Sequence, residues 1–392
     1  MTDDQPHQDH NGHDDGNGNV LIVSQRARPD GFGRQPAYIS FLEAEDTLAE
    51  ATGADLVTID ASPRDRRIQL RRIAGRQLRR VAHGGVALPP LPTPGPSRPR
   101  IELPRQHYDV GVFVGFTNWD LPMLERLPEI RAACDHLVAW MPEVWASDLE
   151  RRAARYEAFG ILDSLVVGMD AGARILADLA PIPVSYVPLA VDTVRFSPTV
   201  PDRVRPIDVL GIGRRDPALH EALLAWSHKA GTHYVYDTMS GAVVPDIAAH
   251  RRNVGDTYAR TSIALTNYAK SDQPEVTRGE REIPGRLWEA LAAGALMVGS
   301  PPDEDLQQRV IGRTVVIERP EDPAAAVELI AELVAADNRD ARIASTQLAL
   351  RRHDWAHRWR QILRNGGVAV PRGLETRIDN LAAMADSLTG GN

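Results

Sequence analysis

The chain has 392 residues, enough for two or three domains with a sizeable core, and a formal net charge of −8. That sign disfavours non-specific contact with nucleic acid, so no nucleic-acid partner is expected. A single cysteine, Cys134, excludes an internal disulfide framework and a cysteine-based zinc cluster. No apolar run is long enough to span a bilayer and no signal-peptide pattern opens the chain, so the expectation is a cytoplasmic protein.

Residues 1–19 are polar, rich in Asp, His, Gly and Asn, and read as a disordered tail, because they cannot bury enough apolar surface to order themselves. His7, His10 and His13 could hold a metal weakly, but a solvated tail is the better account. Val20–Ser24 then reads as a short apolar strand. A loop through Arg26–Arg34 and a helix from Pro36 to about Thr52 follow it. Strand, glycine-rich loop, helix is how a mononucleotide-binding unit opens, with Gly31 and Gly33 allowing close approach of a ligand to the backbone.

Ala54–Asp60 is a second strand. Arg64–Arg80 carries eight arginines on a helix-like stretch. Its thin apolar stripe favours a solvated basic helix, with contact to a membrane surface as the alternative. Val86–Pro104 is proline-rich and reads as an extended connection. Tyr108–Gly115, His136–Met141, Ser164–Met169 and Val184–Pro188 are further strands separated by helical patterns, which argues a parallel sheet covered on both faces. Functional loops should sit at the strands' carboxyl ends. Two such loops carry tryptophan beside a carboxylate, a pairing that suits a sugar's apolar face and hydroxyl edge. They place Trp119, Asp120, Glu143 and Trp145 on an acceptor side.

Leu189–Pro206 reads as a crossing into a second domain. The whole divides into a tail at 1–19, a first domain at 20–190 and a second at 191–350, with helices in 351–388 packing back on the first. Asp208–Gly213 is the second domain's first strand, with Arg214 at its end. Thr232–Thr238 and Ser262–Tyr268 are the next strands. Lys270, beyond the latter, either adds to a site's positive charge or is solvated.

The most informative stretch is Glu280–Ser300. Pro284 suits a first helical position, where its missing amide would have had no partner. Behind it the amides from Gly285 to Leu287 point out of the helix start and make an anion site with the helix dipole. Arg281 and Arg286 flank that site, and a guanidinium can bond two phosphate oxygens at once. Glu282 and Glu289 follow at seven-residue spacing. Glu289 lies one turn behind the anion site, placed to accept from ribose hydroxyls. Gly294 stops the helix and Ala295–Val298 is a buried strand. Asp303-x-Asp305 reads as a helix N-cap rather than a metal site. Thr314–Glu318 is a last strand; Pro323–Ala336, Asp340–Leu363 and Arg372–Leu388 are helices.

E-I-P-G-R-L-W-E-A-L-A-A-G resembles the donor-site segment of retaining GT-B glycosyltransferases, most of all the branch related to spore-maturation glycosyltransferases. Val187–Pro198 is similar to that family's entry into its second domain, and Arg351–Leu363 to its closing helix. The resemblance implies two doubly wound, Rossmann-like α/β domains facing across a cleft. It implies a nucleotide-diphosphate sugar as donor and co-substrate, no cofactor and no metal, and transfer with retention to an unknown acceptor, a glycan, lipid or small molecule. It puts Gly31, Gly33, Gly213, Arg214, Arg281, Gly285, Arg286, Leu287 and Glu289 at the donor, with Glu282, Arg214 and Arg286 serving the chemistry. The family's usual pattern has two glutamates eight positions apart; Arg281 occupies the first of those positions here, and Glu282 takes the role. The histidine common on the loop at Phe116 is absent. Those departures keep open a catalytically silent nucleotide-sugar-binding protein, and a GT-B epimerase is the other alternative.

Overall fold

The computed structural model describes residues 19–26, 34–59, 101–116, 120, 128–149, 159–198, 204–238 and 243–388. A six-stranded parallel sheet has the order β2-β1-β3-β4-β5-β6. Its strands are β1 (Val20–Ser24), β2 (Asp55–Thr58), β3 (Tyr108–Val114), β4 (Cys134–Met141), β5 (Ser164–Val167) and β6 (Val184–Tyr186). A five-stranded parallel sheet has the order β11-β10-β9-β7-β8. It is built from β7 (Ile207–Gly211), β8 (Tyr234–Tyr236), β9 (Thr261–Leu265), β10 (Leu296–Gly299) and β11 (Val316–Glu318). The central strands are runs of aliphatic residues buried on both faces, as in β1 and β3. Such runs are satisfied only when helices cover both sides of the sheet.

Strand order reverses between β1 and β3 in one sheet and between β7 and β9 in the other. Ligands of open α/β sheets lie in the crevice beyond the strand ends at such a reversal. The chain after β1 leads to Gln25 and Arg26, and the chain after β7 to Ile212, Gly213 and Arg214. Gly31, Gly33, Trp119, the tail at 1–18 and the basic stretch Arg64–Arg80 lie outside the described residues.

The helix Gly285–Ala293 is organised by its ends. Pro284 is its N-cap, with an extended backbone (φ −80, ψ 154), so the first helical residue is Gly285 rather than the proline. Gly294 ends it in the left-handed region (φ 66). A Cβ there would stand 2.8 Å from the Arg342 carbonyl oxygen, so the glycine also admits the helix Arg339–Arg352. Leu287, Trp288, Ala290 and Leu291 are fully buried beneath β10.

The expected long helix Asp340–Leu363 is two helices, Arg339–Arg352 and Trp355–Asn365. Asp354 breaks it. Its side chain accepts from the Ala356 amide at 2.9 Å as an N-cap, and its backbone pairs with Val191 in an isolated bridge. The Asp354 carboxylate also takes the Thr193 amide (2.9 Å) and the Arg377 guanidinium (2.9 Å). The second helix crosses to the six-stranded sheet. There Trp140 packs edge-on against Trp355 and Trp359, with ring centroids 5.5 and 5.3 Å apart, and the Trp359 indole donates to the Ala44 carbonyl at 2.8 Å. Among the described residues no helix is long and apolar enough to cross a membrane.

Candidate functional site

The site grows from the start of the helix Gly285–Ala293. No side chain caps it, and the Leu287 amide turns back to the Pro284 carbonyl at 3.1 Å. That leaves the Gly285 and Arg286 amides facing outward, half-exposed, on the positive end of the helix dipole. Space before Gly285 is open; the nearest atom to a Cβ there would be a Leu189 methyl at 3.9 Å.

Arg286 reaches from this helix start to the end of β7. Gly213 sits there with φ +82, and a Cβ on it would fall 1.8 Å from an Arg286 guanidinium nitrogen. The turn must therefore be glycine on two counts, a left-handed backbone and a flat face for the arginine. The Gly213 amide is held by Asp237 Oδ1 at 2.8 Å, and the same carboxylate atom accepts from Arg215 at 2.8 Å. Among the described residues Arg286 makes no ion pair and no hydrogen bond through its side chain. A bare guanidinium beside two free amides has the chemistry that suits a polyanion. Gly213→Ala is expected to force Arg286 aside and strain the turn. In a calorimetric titration with nucleoside diphosphates it should weaken binding about tenfold or more while the fold remains.

The other predicted donor residues divide. Arg214 stands at the same strand end, with its Nε 2.6 Å from Asp272 Oδ1, and half of its side chain is exposed. It shares a crevice with Gly211, Asn267 and Gly299 at the ends of β7, β9 and β10. Leu287 is buried and its amide is held by the Pro284 carbonyl, so, contrary to expectation, it presents no donor to the site. Arg281 lies over the Tyr268 ring, 5.6 Å from its centroid. Asp303 stands at the N-cap position of the helix Glu304–Ile311, where its carboxylate takes the Arg281 amide at 3.4 Å in place of an amide of its own helix.

Both glutamates have protein partners. Glu282 is buried and accepts at 3.0 Å from the Ala171 amide, at the start of the helix Asp170–Leu179 of the first unit. It therefore caps a helix of the opposite lobe. Burial pushes its carboxyl up to about 7, with the Ala171 and Asp170 amides working the other way. Tyr186, next to it, is also driven above its ordinary range by burial and then by Glu282. An acid raised in the folded state keeps its proton while the unfolded chain ionises, so stability falls as pH rises between about 4.5 and about 7. Glu282→Gln should match the parent at pH 4 and exceed it above pH 7, by on the order of 1–3 kcal/mol in urea unfolding. A constant offset across that range would show that Glu282 is not buried in this way.

Glu289 is spent on a bridge that sequence reasoning missed. Arg251 donates to Glu289 Oε1 at 2.5 Å and to Glu43 Oε2 at 2.6 Å. Glu43 belongs to the first unit's helix Ile39–Thr52 and takes the Asp192 amide (2.8 Å) and the Trp355 indole (3.1 Å) on its other oxygen. All three charged groups are buried. Burial opposes the charge on Arg251, but Glu43 and Glu289 outweigh it and hold its pKa above the ordinary value. The one available signal was Glu43 on an otherwise apolar run of Phe41, Leu42 and Ala44.

Of the residues expected on an acceptor side, Glu143 and Trp145 are joined with Lys270. The Trp145 indole donates to Glu143 Oε1 at 2.9 Å, and Lys270 of the second unit approaches the same oxygen at 2.5 Å while lying 4.7 Å from the Trp145 ring centroid. Trp145 is 2% exposed, so its face is not open to a sugar, contrary to the expectation from its loop position. Lys270 takes a left-handed backbone (φ 53), a strained conformation for a lysine and one that collects at functional loops. Asp120 is buried and accepts from the Phe116 amide at 3.0 Å. One group of residues in the described part could hold a metal, His107, Asp109 and Asp135. It is exposed and lies at the amino ends of β3 and β4, the far end of the sheet from the cleft.

Two Rossmann-like units meeting at their switch points define the GT-B architecture. Residues 215–364 match the model of a glycosyl transferase-like family. Solved structures with a similar chain path include HepE of Anabaena, in complex with UDP and glucose, at 12% identity over 88% of this chain and 98% of that one (TM-score 0.48). A UDP-forming α,α-trehalose-phosphate synthase from Burkholderia vietnamiensis is 12% identical over 95% and 98% of the two chains (TM-score 0.46). A chain of the GtfA/B complex is 14% identical, with 65% of this chain covering 57% of that one (TM-score 0.39). No curated protein sequence matches the chain significantly.

Proposed function

We propose that the protein is a glycosyltransferase that moves a sugar from a nucleotide-diphosphate donor to an acceptor held by the first unit, with retention of configuration. The observation that carries this reading is the unpaired Arg286 guanidinium lying on Gly213 beside the free Gly285 and Arg286 amides. A diphosphate placed there meets donors already fixed in direction, which stabilise charge as it develops on the leaving group without reorganising. In this reading Arg214 adds a second cation, and fixed charges rather than a metal do the neutralising. The departing diphosphate can take the acceptor's proton, so no protein nucleophile is invoked. The proposed compartment is the cytoplasm.

A second reading has an observation of its own. Glu282 caps the opposite unit and Glu289 is bound by Arg251, so neither carboxylate is free to hold a sugar or ribose in this arrangement. A protein of that kind would bind nucleotide sugars without turning them over. A thermal-shift screen of uridine, guanosine and adenosine diphosphates and their sugars, followed by assay of released nucleoside diphosphate, separates the two. Stabilisation with release supports transfer; stabilisation without release, in the presence of a panel of acceptors, supports silent binding. No stabilisation by any nucleotide overturns both.

A further inference from the structure

A second strongly charged feature lies at the elbow where Asp354 breaks the C-terminal helices. Arg351 and Arg352 end one helix, and the next presents His357, Arg358, Arg360 and Arg364 at helical spacing. Between them is a hollow of about 310 Å3 lined by these six residues together with Gln361 and Asn365. None of them belongs to the set formed by Gly213, Gly285 and Arg286.

The charge in this hollow is incompletely compensated. Arg351 pairs with Asp386, and Arg360 and Arg364 share Glu375 at 3.1 and 3.0 Å. Arg352 and Arg358 have no carboxylate partner among the described residues. Arg358 is 6% exposed, and its guanidinium lies over the Trp288 ring, 5.4 Å from the centroid, while its three hydrogen bonds all go to neutral acceptors: the Leu189 carbonyl, the Arg352 carbonyl and the His353 ring. A guanidinium has five N–H groups, so two remain unused. Burial lowers its pKa to about 10; Tyr186 and the nearby Asp354 carboxylate work against this, and Arg352 works with it. Carbonyls, an imidazole and an indole face hold this cation without a carboxylate in hydrogen-bond contact, so a counter-charge from outside is the partner it still lacks.

We propose that this hollow binds a phosphate monoester, whose dianion supplies the missing negative charge to Arg352, Arg358 and their neighbours. Guanidinium groups suit phosphate because their planar N–H pairs match two oxygens at once. The volume is at the low end of small-ligand pockets, roughly 300 Å3, which leaves room for the organic part of an ester beside its phosphate. Gln361 and Asn365 on the same lining offer amides to hydroxyl groups of that part. The same dianion could arrive on a soluble ester or as a lipid headgroup.

The test uses the full chain, its Arg352→Glu and Arg364→Gln variants, and Arg286→Ala as the control for the cleft. Inorganic phosphate is titrated calorimetrically, and sedimentation is measured with phosphatidylcholine vesicles with and without phosphatidic acid. Expected is phosphate binding that Arg352→Glu weakens about tenfold or more, Arg364→Gln weakens less, and Arg286→Ala leaves in place. Co-sedimentation with phosphatidic acid vesicles, lost in Arg352→Glu, assigns a lipid headgroup; phosphate binding without it assigns a soluble ester. The proposal is overturned if neither probe binds, if Arg352→Glu binds as the parent does, or if binding disappears in Arg286→Ala. The last result would place the phosphate in the cleft instead.

Discussion

Replacing Arg286 by alanine is expected to remove most of the thermal stabilisation given by the preferred nucleoside diphosphate, and to leave the unliganded protein's melting temperature nearly unchanged. The guanidinium has no protein ion pair to lose, so its removal costs the fold little. Binding depends on it much more. A charge-assisted hydrogen bond is worth about 1.5–3 kcal/mol, which corresponds to roughly ten- to more than a hundredfold in affinity. Calorimetric titration of the parent and Arg286→Ala with UDP, GDP and ADP measures this directly. Arg286→Lys should recover only part of the loss, because a point charge does not reproduce a planar fork lying on the Gly213 backbone. If Arg286→Ala binds as tightly as the parent, the diphosphate does not sit at the helix start, and the glycosyl-transfer reading loses its carrying observation.

Replacing Arg251 by methionine should have the largest effect on stability. The side chain is buried with Glu43 on one side and Glu289 on the other, and it joins the two units through them. Removing it strands two carboxylates in a dry interior, a change that destabilises by about 3–5 kcal/mol. The loss should shrink as pH falls toward 4, since protonation relieves the uncompensated charge. Adding Glu43→Gln to Arg251→Met should restore part of the stability. That change removes one stranded charge and keeps an oxygen for the Asp192 amide and the Trp355 indole. Urea unfolding of the single and double variants at pH 7 and pH 4.5 checks both points. A loss under about 1 kcal/mol at pH 7 would place the pair at the level of an exposed ion pair and show that water reaches it.

These two arginines illustrate what was legible beforehand. The placement of Arg286 was readable because it is local: a proline, a glycine and an arginine in one turn define the start of a helix and its charge. Arg251 was not. Its helix, Ile247–Ala259, carries no unusual pattern, and its partner Glu43 lies 208 positions away. The helix break at Asp354 was also hidden. Apolar spacing continues through Trp355 and Trp359, and the N-cap role of Asp354 becomes visible only with its contacts to Thr193 and Arg377.

Strand and helix alternation, the buried aliphatic runs, the glycine that ends the helix at Ala293 and the position of its start follow from short-range physics, and the amino-acid order alone determines them. Which carboxylates stay free was decided by the packing of one unit on the other. Glu282 caps a helix whose first amides lie 111 residues away, Glu289 is taken by Arg251, and Trp145 is covered by Lys270. The physical reason is that buried charges and helix ends must find partners, and in a two-unit protein those partners come from wherever the chain returns in space, without leaving a mark on neighbouring residues.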